Sequence, residues 1–205
     1  LYSSAASDAY KRQSLYGTKK NIWIGTDEGI YIYAYATETF TYFDLTTPNN
    51  VRITSIVNHI LQDKDGNLWF STNGQGLFRY NLSKNYLEQY EFTSAFGIVA
   101  STMADSDNQI WALTNQGESG VYKLNKAENK FEPFGLLYNA GNHHSQALAM
   151  LEDSEQTLWL GTWECGLQKI DKYTRQTTTY LHPTDGKGVT HIHSLMEYAP
   201  HQLLI

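Results

Sequence analysis

One phrase recurs four times along this chain of 205 residues. It runs from a polar, mostly acidic turn into a short apolar run centred on tryptophan, then a threonine, a glycine-containing loop and a tyrosine-rich strand. The four copies of its core read Asn21-Ile22-Trp23-Ile24-Gly25-Thr26, Asn67-Leu68-Trp69-Phe70-Ser71-Thr72, Gln109-Ile110-Trp111-Ala112-Leu113-Thr114 and Thr157-Leu158-Trp159-Leu160-Gly161-Thr162. A fifth begins at Leu195-Met196-Glu197 and stops at Gln202-Leu203-Leu204-Ile205, with Leu204 where tryptophan should stand. A period of roughly 40–50 residues marks solenoids, propellers or arrays, and so constrains the fold before any single residue is weighed.

The second copy shows what one repeat must be. Ile56 to Leu61 is short, apolar and rich in β-branched residues, as a buried strand is. Asp63-Lys64-Asp65-Gly66 supplies a hairpin signal. Leu68-Trp69-Phe70 is continuously apolar, which predicts a strand buried on both faces. Asn73-Gly74-Gln75-Gly76 turns the chain into Leu77 to Leu82, and Ser83-Lys84-Asn85 turns it again into the alternating strand Tyr86 to Phe92. The unit is a four-stranded antiparallel meander. A buried tryptophan removes about 150–250 Å² from water, worth roughly 4–6 kcal/mol at about 25 cal/mol per Å². One sheet cannot cover both faces of that strand, so neighbouring copies must. The expected fold is all-β, a β-propeller of four-stranded antiparallel blades. Its blades are expected at 15–45, 53–92, 97–134 and 145–181, with the truncated start of a fifth at 189–205. Residues 1–14 match poorly, as a separate N-terminal segment or the end of a preceding blade. Four blades and part of a fifth are few for a closed ring, which points to a fragment of a larger propeller.

The Leu/Ile-Trp-Ile/Leu-Gly-Thr core, the Asp63 to Asn67 turn and the Gly76 to Asn81 strand together resemble the two-component regulator propeller repeat. The resemblance covers about Leu15 to Ile205. The third copy departs from it, with Ala112-Leu113 in place of Ile-Gly and a longer loop from Asn115 to Gly120. Such repeats build the periplasmic sensor regions of hybrid two-component histidine kinases, notably those of gut Bacteroidetes that respond to polysaccharide breakdown products. The resemblance therefore implies a signal sequence upstream, further blades, and downstream a β-sandwich domain, a transmembrane helix and kinase, receiver and DNA-binding domains. It also implies a periplasmic location, membrane tethering only through parts outside this chain, and a homodimer formed through the parent receptor.

Charge narrows the partners. Fifteen Lys and Arg stand against 21 Asp and Glu, a net charge of −6 without a basic cluster. Phosphate binding needs a positive stripe, so this segment is not expected to bind nucleic acid or an anionic membrane. The single cysteine, Cys165, excludes an internal disulfide. No apolar run approaches the length that spans a bilayer.

In a four-stranded meander, the connection into the first strand and the turn between the second and third strands lie at one end. That end gathers Thr46 to Arg52, Thr93 to Ile98, Gly135 to Gln146 and His182 to His191 with the turns at Asp27, Asn73, Asn115 and Trp163. These loops vary while the opposite hairpins stay uniform, so the variable end is the expected binding face. Trp163 stands out because its slot holds Asp27, Asn73 and Asn115 in the other copies. An exposed indole can stack on the apolar face of a sugar. Arg52, Asn73, Tyr138, Asn142, His143, His144 and His191 share the face and offer directional hydrogen bonds.

The histidines invite a metal reading, since His191 and His193 alternate on one strand face and His143-His144 precedes them. No carboxylate stands at a telling spacing, so no metal ligands and no cofactor are assigned. The acid pairs Asp63/Asp65, Asp105/Asp107 and Asp153/Glu155 recur at one hairpin position and read as turn chemistry, so no catalytic residues are assigned. The expected function is non-catalytic sensing of a polysaccharide-derived oligosaccharide, or another small-molecule signal, within a sensor histidine kinase. The alternatives are a propeller lyase acting on a polysaccharide or cyclic substrate, and a non-binding scaffold that spaces or dimerises the receptor.

Overall fold

The computed structural model describes residues 14–92, 97–114, 120–136, 146–181 and 191–205, and every regular element among them is a strand. The first sheet is the meander β1 (Ser14–Gly17), β2 (Asn21–Thr26), β3 (Gly29–Ala34) and β4 (Thr39–Tyr42). The second is β5 (Val57–Gln62), β6 (Leu68–Thr72), β7 (Leu77–Asn81) and β8 (Tyr86–Tyr90). The third is β9 (Ser101–Ala104), β10 (Ile110–Thr114), β11 (Gly120–Asn125) and β12 (Lys130–Leu136). The fourth is β13 (Ala147–Glu152), β14 (Leu158–Thr162), β15 (Leu167–Ile170) and β16 (Thr177–Tyr180), after which β17 (Met196–Ala199) pairs with β18 (Gln202–Leu204). All pairings are antiparallel between consecutive strands, and the sheets are the blades of a β-propeller fold. Two compact units divide the chain, residues 1–102 and 103–205.

The hairpin between the first two strands of each blade is set by backbone conformation. Gly66, Asn108 and Gln156 occupy the same turn slot, all left-handed with φ of 82°, 56° and 62°. Their amides donate back to the carbonyls of Asp63, Asp105 and Asp153. Glycine and asparagine adopt this conformation at least cost, and Gln156 shows that the turn tolerates a longer side chain there.

Within residues 1–102, the tryptophan face of the first sheet packs on the second. The Trp23 ring lies 5.5 Å from that of Phe43, 5.8 Å from Phe70 and 5.8 Å from Tyr80. Ile53, Leu68, Phe78 and Leu87 complete the core, each at most 1% exposed. β6 is buried along its whole length, as its continuous apolar run requires. The backbones come close beside Gly25, where a β-carbon would sit 2.9 Å from the side chain of Val57 on β5. His59 on β5 is pushed below its ordinary pKa by burial, and its Nδ1 accepts from the Thr102 amide at 3.4 Å.

Within residues 103–205, Trp111, Leu113, Val121, Phe134, Leu158 and Leu160 form the core. Here polar groups reinforce the packing. The Glu152 carboxylate at the end of β13 accepts from the Ser106 amide at 2.5 Å and its hydroxyl at 3.0 Å. One repeat later, Glu197 on β17 accepts from the Ser154 amide and hydroxyl, both at 2.7 Å. Each acid ties its own first strand to the preceding hairpin. Gly161 repeats the role of Gly25, since a β-carbon there would meet the Ile192 carbonyl oxygen at 2.6 Å.

Candidate functional site

The threonine that closes each tryptophan core is a turn-former. Thr26, Thr72 and Thr162 donate their hydroxyls to the carbonyls of Gly29, Gly76 and Gly166, at 3.0, 2.6 and 2.7 Å. The same oxygens accept from the amides of Glu28, Gln75 and Cys165. The residue after the threonine is held by its backbone alone: the Asn73 amide donates to Ile56 and the Trp163 amide to Gln146, both at 2.9 Å. Nothing in that bonding selects a side chain. Asn73 and Trp163 both project outward, which frees this slot for recognition.

At Trp163 the slot carries an indole that remains 41% exposed. Its backbone bridges to His191, and the Ile192 amide donates to the Thr162 carbonyl at 3.1 Å. The rings of Trp163 and His191 meet edge-on, their centroids 3.7 Å apart. His193 lies 6.1 Å from the indole, its ring almost parallel to that of His191 at 6.4 Å. The exposed indole is thus an aromatic surface with two imidazoles standing nearly perpendicular to it. Such a surface can stack on the C–H face of a pyranose while donating to and accepting from its hydroxyls.

Two of the residues chosen from the sequence, Trp163 and His191, are thus brought together. Arg52 and Asn73 lie in the first unit. Arg52 forms a short bridge with Thr46, its guanidinium pairs with Asp44 at 2.7 Å, and its carbonyl accepts from the Gln75 side chain. Gln75 also accepts from the amides of Thr54 and Ser55, so the Asn73–Gly76 turn is tied to the lead-in of its own blade. Tyr138, Asn142, His143 and His144 lie outside the described residues. Among the described residues, no three His, Cys, Asp or Glu side chains converge as metal ligands do.

The hairpin acids first serve their own turns. Asp63, Asp105 and Asp153 each accept from a tryptophan indole, Trp69 at 2.7 Å, Trp111 at 3.0 Å and Trp159 at 2.6 Å. Their second oxygens accept from the backbone of the same turn. One residue escaped the sequence reading. Lys172 is 5% exposed and reaches Glu152 at 2.8 Å, Asp107 at 3.0 Å and Asp105 at 3.5 Å. Burial by itself would lower its pKa, but the hydrogen bonds to Glu152 and Asp107 and the charge of Asp105 outweigh that and raise it. Burial would likewise raise the Asp105 carboxyl, yet the bonds from Trp111 and Gln109 and the Lys172 charge hold it below its ordinary value. The repeat does not set it apart: the second copy has Leu82 at the matching position, but the third has Lys126.

Comparison with known proteins agrees with this architecture. Residues 50–74 match the family described as two component regulator propeller. No curated protein matches the chain. Among solved structures, the chain is similar to the extracellular domain of BT4673 from B. thetaiotaomicron, described as a one component system. The TM-score is 0.74 and the identity 18%, over 94% of this chain and 25% of that one. It is also similar to the extracellular domain of the hybrid two component system BT3049 from the same organism, with a TM-score of 0.65 and 20% identity over 82% of this chain and 24% of that one. Virginiamycin B lyase from Staphylococcus aureus shares the fold at a TM-score of 0.66 and 17% identity, over 87% of this chain and 58% of that one. The chain spans about a quarter of the length of the two B. thetaiotaomicron domains it matches. At these identities the likeness defines the fold.

Proposed function

We propose that this chain is an extracytoplasmic, ligand-sensing propeller segment of a hybrid two-component sensor histidine kinase, located in the periplasm. Its signal is an oligosaccharide released from a polysaccharide, and the parent receptor, acting as a homodimer, passes the signal on to transcription. The observation that carries the reading is Trp163, an exposed indole in a turn slot whose bonding does not call for one, set against His191. The propeller match at residues 50–74 supplies the receptor context. Signalling then requires the sugar to favour one arrangement of the receptor dimer, because equal affinity for both shifts nothing.

The test is calorimetric titration of the complete extracytoplasmic region with a panel of oligosaccharides. Binding by one member, weakened at least about tenfold by Trp163→Ala, is expected, a loss of about 1.4 kcal/mol. The melting temperature should move little, since the indole lies outside the buried core. Affinity unchanged in Trp163→Ala removes the site from this face, and no binding by any sugar favours a scaffold.

A further inference from the structure

Trp163 is one of three departures from the repeat that fall at one junction. In the second copy Asn73 bridges to Ile98, and the Val99 amide donates to the Thr72 carbonyl at 2.9 Å. In the fourth Trp163 bridges to His191, and the Ile192 amide donates to the Thr162 carbonyl at 3.1 Å. The backbone bonds are the same, and the residue between the flanking positions is buried in both, Val99 at 0% exposure and Ile192 at 2%. The side chains around it differ. Asn73, Ile98 and Ala100 occupy the three slots at one junction, and Trp163, His191 and His193 occupy them at the other.

The three changes come from two different stretches of chain, the turn 162–166 and the segment 191–193, yet their rings meet. Both imidazoles stand within 6.1 Å of the indole and almost perpendicular to it, and they lie nearly parallel to each other. None of the bonds at the junction calls for an aromatic side chain, as Asn73, Ile98 and Ala100 show. Coordinated change at slots that the backbone leaves free is what a ligand site requires. Its chemistry has a sign. An aromatic face carries negative potential, which attracts cations and C–H groups and repels anions. Neither stretch holds a lysine or arginine, the residues that pair with a sugar carboxylate or sulfate. Glu164 follows Trp163 in the turn and is exposed, its backbone left-handed with φ of 72°.

We propose that this junction selects a pyranose bearing an ammonium group, a protonated 2-amino-2-deoxy sugar, over its neutral and uronic acid counterparts. The inference rests on the sugar-sensing reading above and narrows it. The C–H face of the sugar stacks on Trp163. An ammonium group offers three N–H donors and no acceptor. In its neutral form each imidazole accepts one hydrogen bond, and the Glu164 carboxylate supplies acceptors of opposite charge. His193 thus joins Trp163 and His191 as a residue that sets specificity. A uronic acid would meet the same rings and the same carboxylate with like charge, which costs affinity.

The test is calorimetric titration of the complete extracytoplasmic region at neutral pH with matched trisaccharides of glucose, glucosamine and glucuronic acid, and with their galactose counterparts. In the series that binds, the amino form should bind at least about fivefold more tightly than the neutral form, and the uronic form more weakly than either. Glu164→Gln and His193→Ala should each narrow that preference about two- to threefold. Both should leave the affinity for the neutral form unchanged, a split that a merely structural role would not produce. Trp163→Ala should abolish the preference. Equal or weaker binding of the amino form overturns the proposal. So does a preference that survives Trp163→Ala, which is attraction to the net charge of −6 alone. Neutral sugar binding that Trp163→Ala weakens, without any amino preference, leaves the sensing reading standing and removes this inference. No binding by any of these sugars removes both.

Discussion

The first blade and the three that follow hold the same tryptophan by different means. In the later blades the indole N–H is capped by Asp63, Asp105 or Asp153. A cation lies over the ring from the neighbouring strand: Arg79 at 5.6 Å from Trp69, Lys123 at 5.2 Å from Trp111 and Lys169 at 5.6 Å from Trp159. The register explains the pairing, because each cation sits directly opposite its tryptophan. In the first blade Thr18 replaces the aspartate and Ile32 stands opposite Trp23. The buried Trp23 Nε1 has no hydrogen-bond partner among the described residues. Its ring is instead enclosed by Phe43, Phe70 and Tyr80. The repeat therefore contains two separable devices. Contact with a neighbouring aromatic ring is common to all four copies, while the acid and the cation are lost together in the first blade, where three rings enclose the indole.

The largest effect should come from removing an acid that serves two partners. Asp105→Ala strips the cap from Trp111 and leaves the buried Lys172 short of a counter-charge, and should destabilise by about 3–5 kcal/mol. The shift of the urea midpoint measures it. Tryptophan to phenylalanine next separates the two devices. Trp69→Phe abandons the buried Asp63 carboxylate and should cost about 1–2 kcal/mol more than Trp23→Phe, which abandons no partner. Equal losses in the two variants would show that the cap contributes nothing.

Three of the groups that shape the pH dependence are wholly or partly buried, and their signs follow. The depressed Asp105 contributes stability that is present above about pH 4 and lost as pH falls through its lower folded value. The raised Lys172 contributes stability that is complete below pH 10.5 and lost as pH climbs through its higher folded value. The depressed His59 adds stability that is complete above pH 6.5 and declines below it. Thermal melts from pH 4.5 to 8 should show that last decline, and His59→Gln should flatten it. The smallest effect is a gain. The first hairpin is one residue shorter than the others, so Thr18→Asp alone does not reach Trp23. Thr18→Asp with a glycine inserted after Lys20 should recover about 0.5–1.5 kcal/mol in the same urea assay.

The strand pattern was legible because burial on both faces leaves a continuous apolar run, as at Leu68-Trp69-Phe70, and because Asp-Gly turns announce hairpins. The missing cap of Trp23 was legible too, in the plain absence of an acid between Gly17 and Asn21. Lys172 was not. Its partners Asp105 and Asp107 lie in another repeat, and a lysine after an aspartate looks like any solvated turn. Of the candidate site, the meander topology placed Trp163 and His191 on one face, and the contact between their rings follows from that topology. It could not reveal that Arg52 is engaged by Asp44, since such pairing depends on side-chain direction in a seven-residue loop.

The clasp between each β-strand acid and the preceding hairpin gives the second unit a mechanical grain. Ser106–Glu152 and Ser154–Glu197 act between successive copies, so stability there is transmitted from neighbour to neighbour. Under a pulling force applied at Ile205, the Ser154–Glu197 clasp is loaded first and β17 and β18 detach as one step. The buried Lys172 cluster holds the next boundary to a higher force. Unravelling should thus proceed by whole repeats, with the yield force rising from the last copy inward.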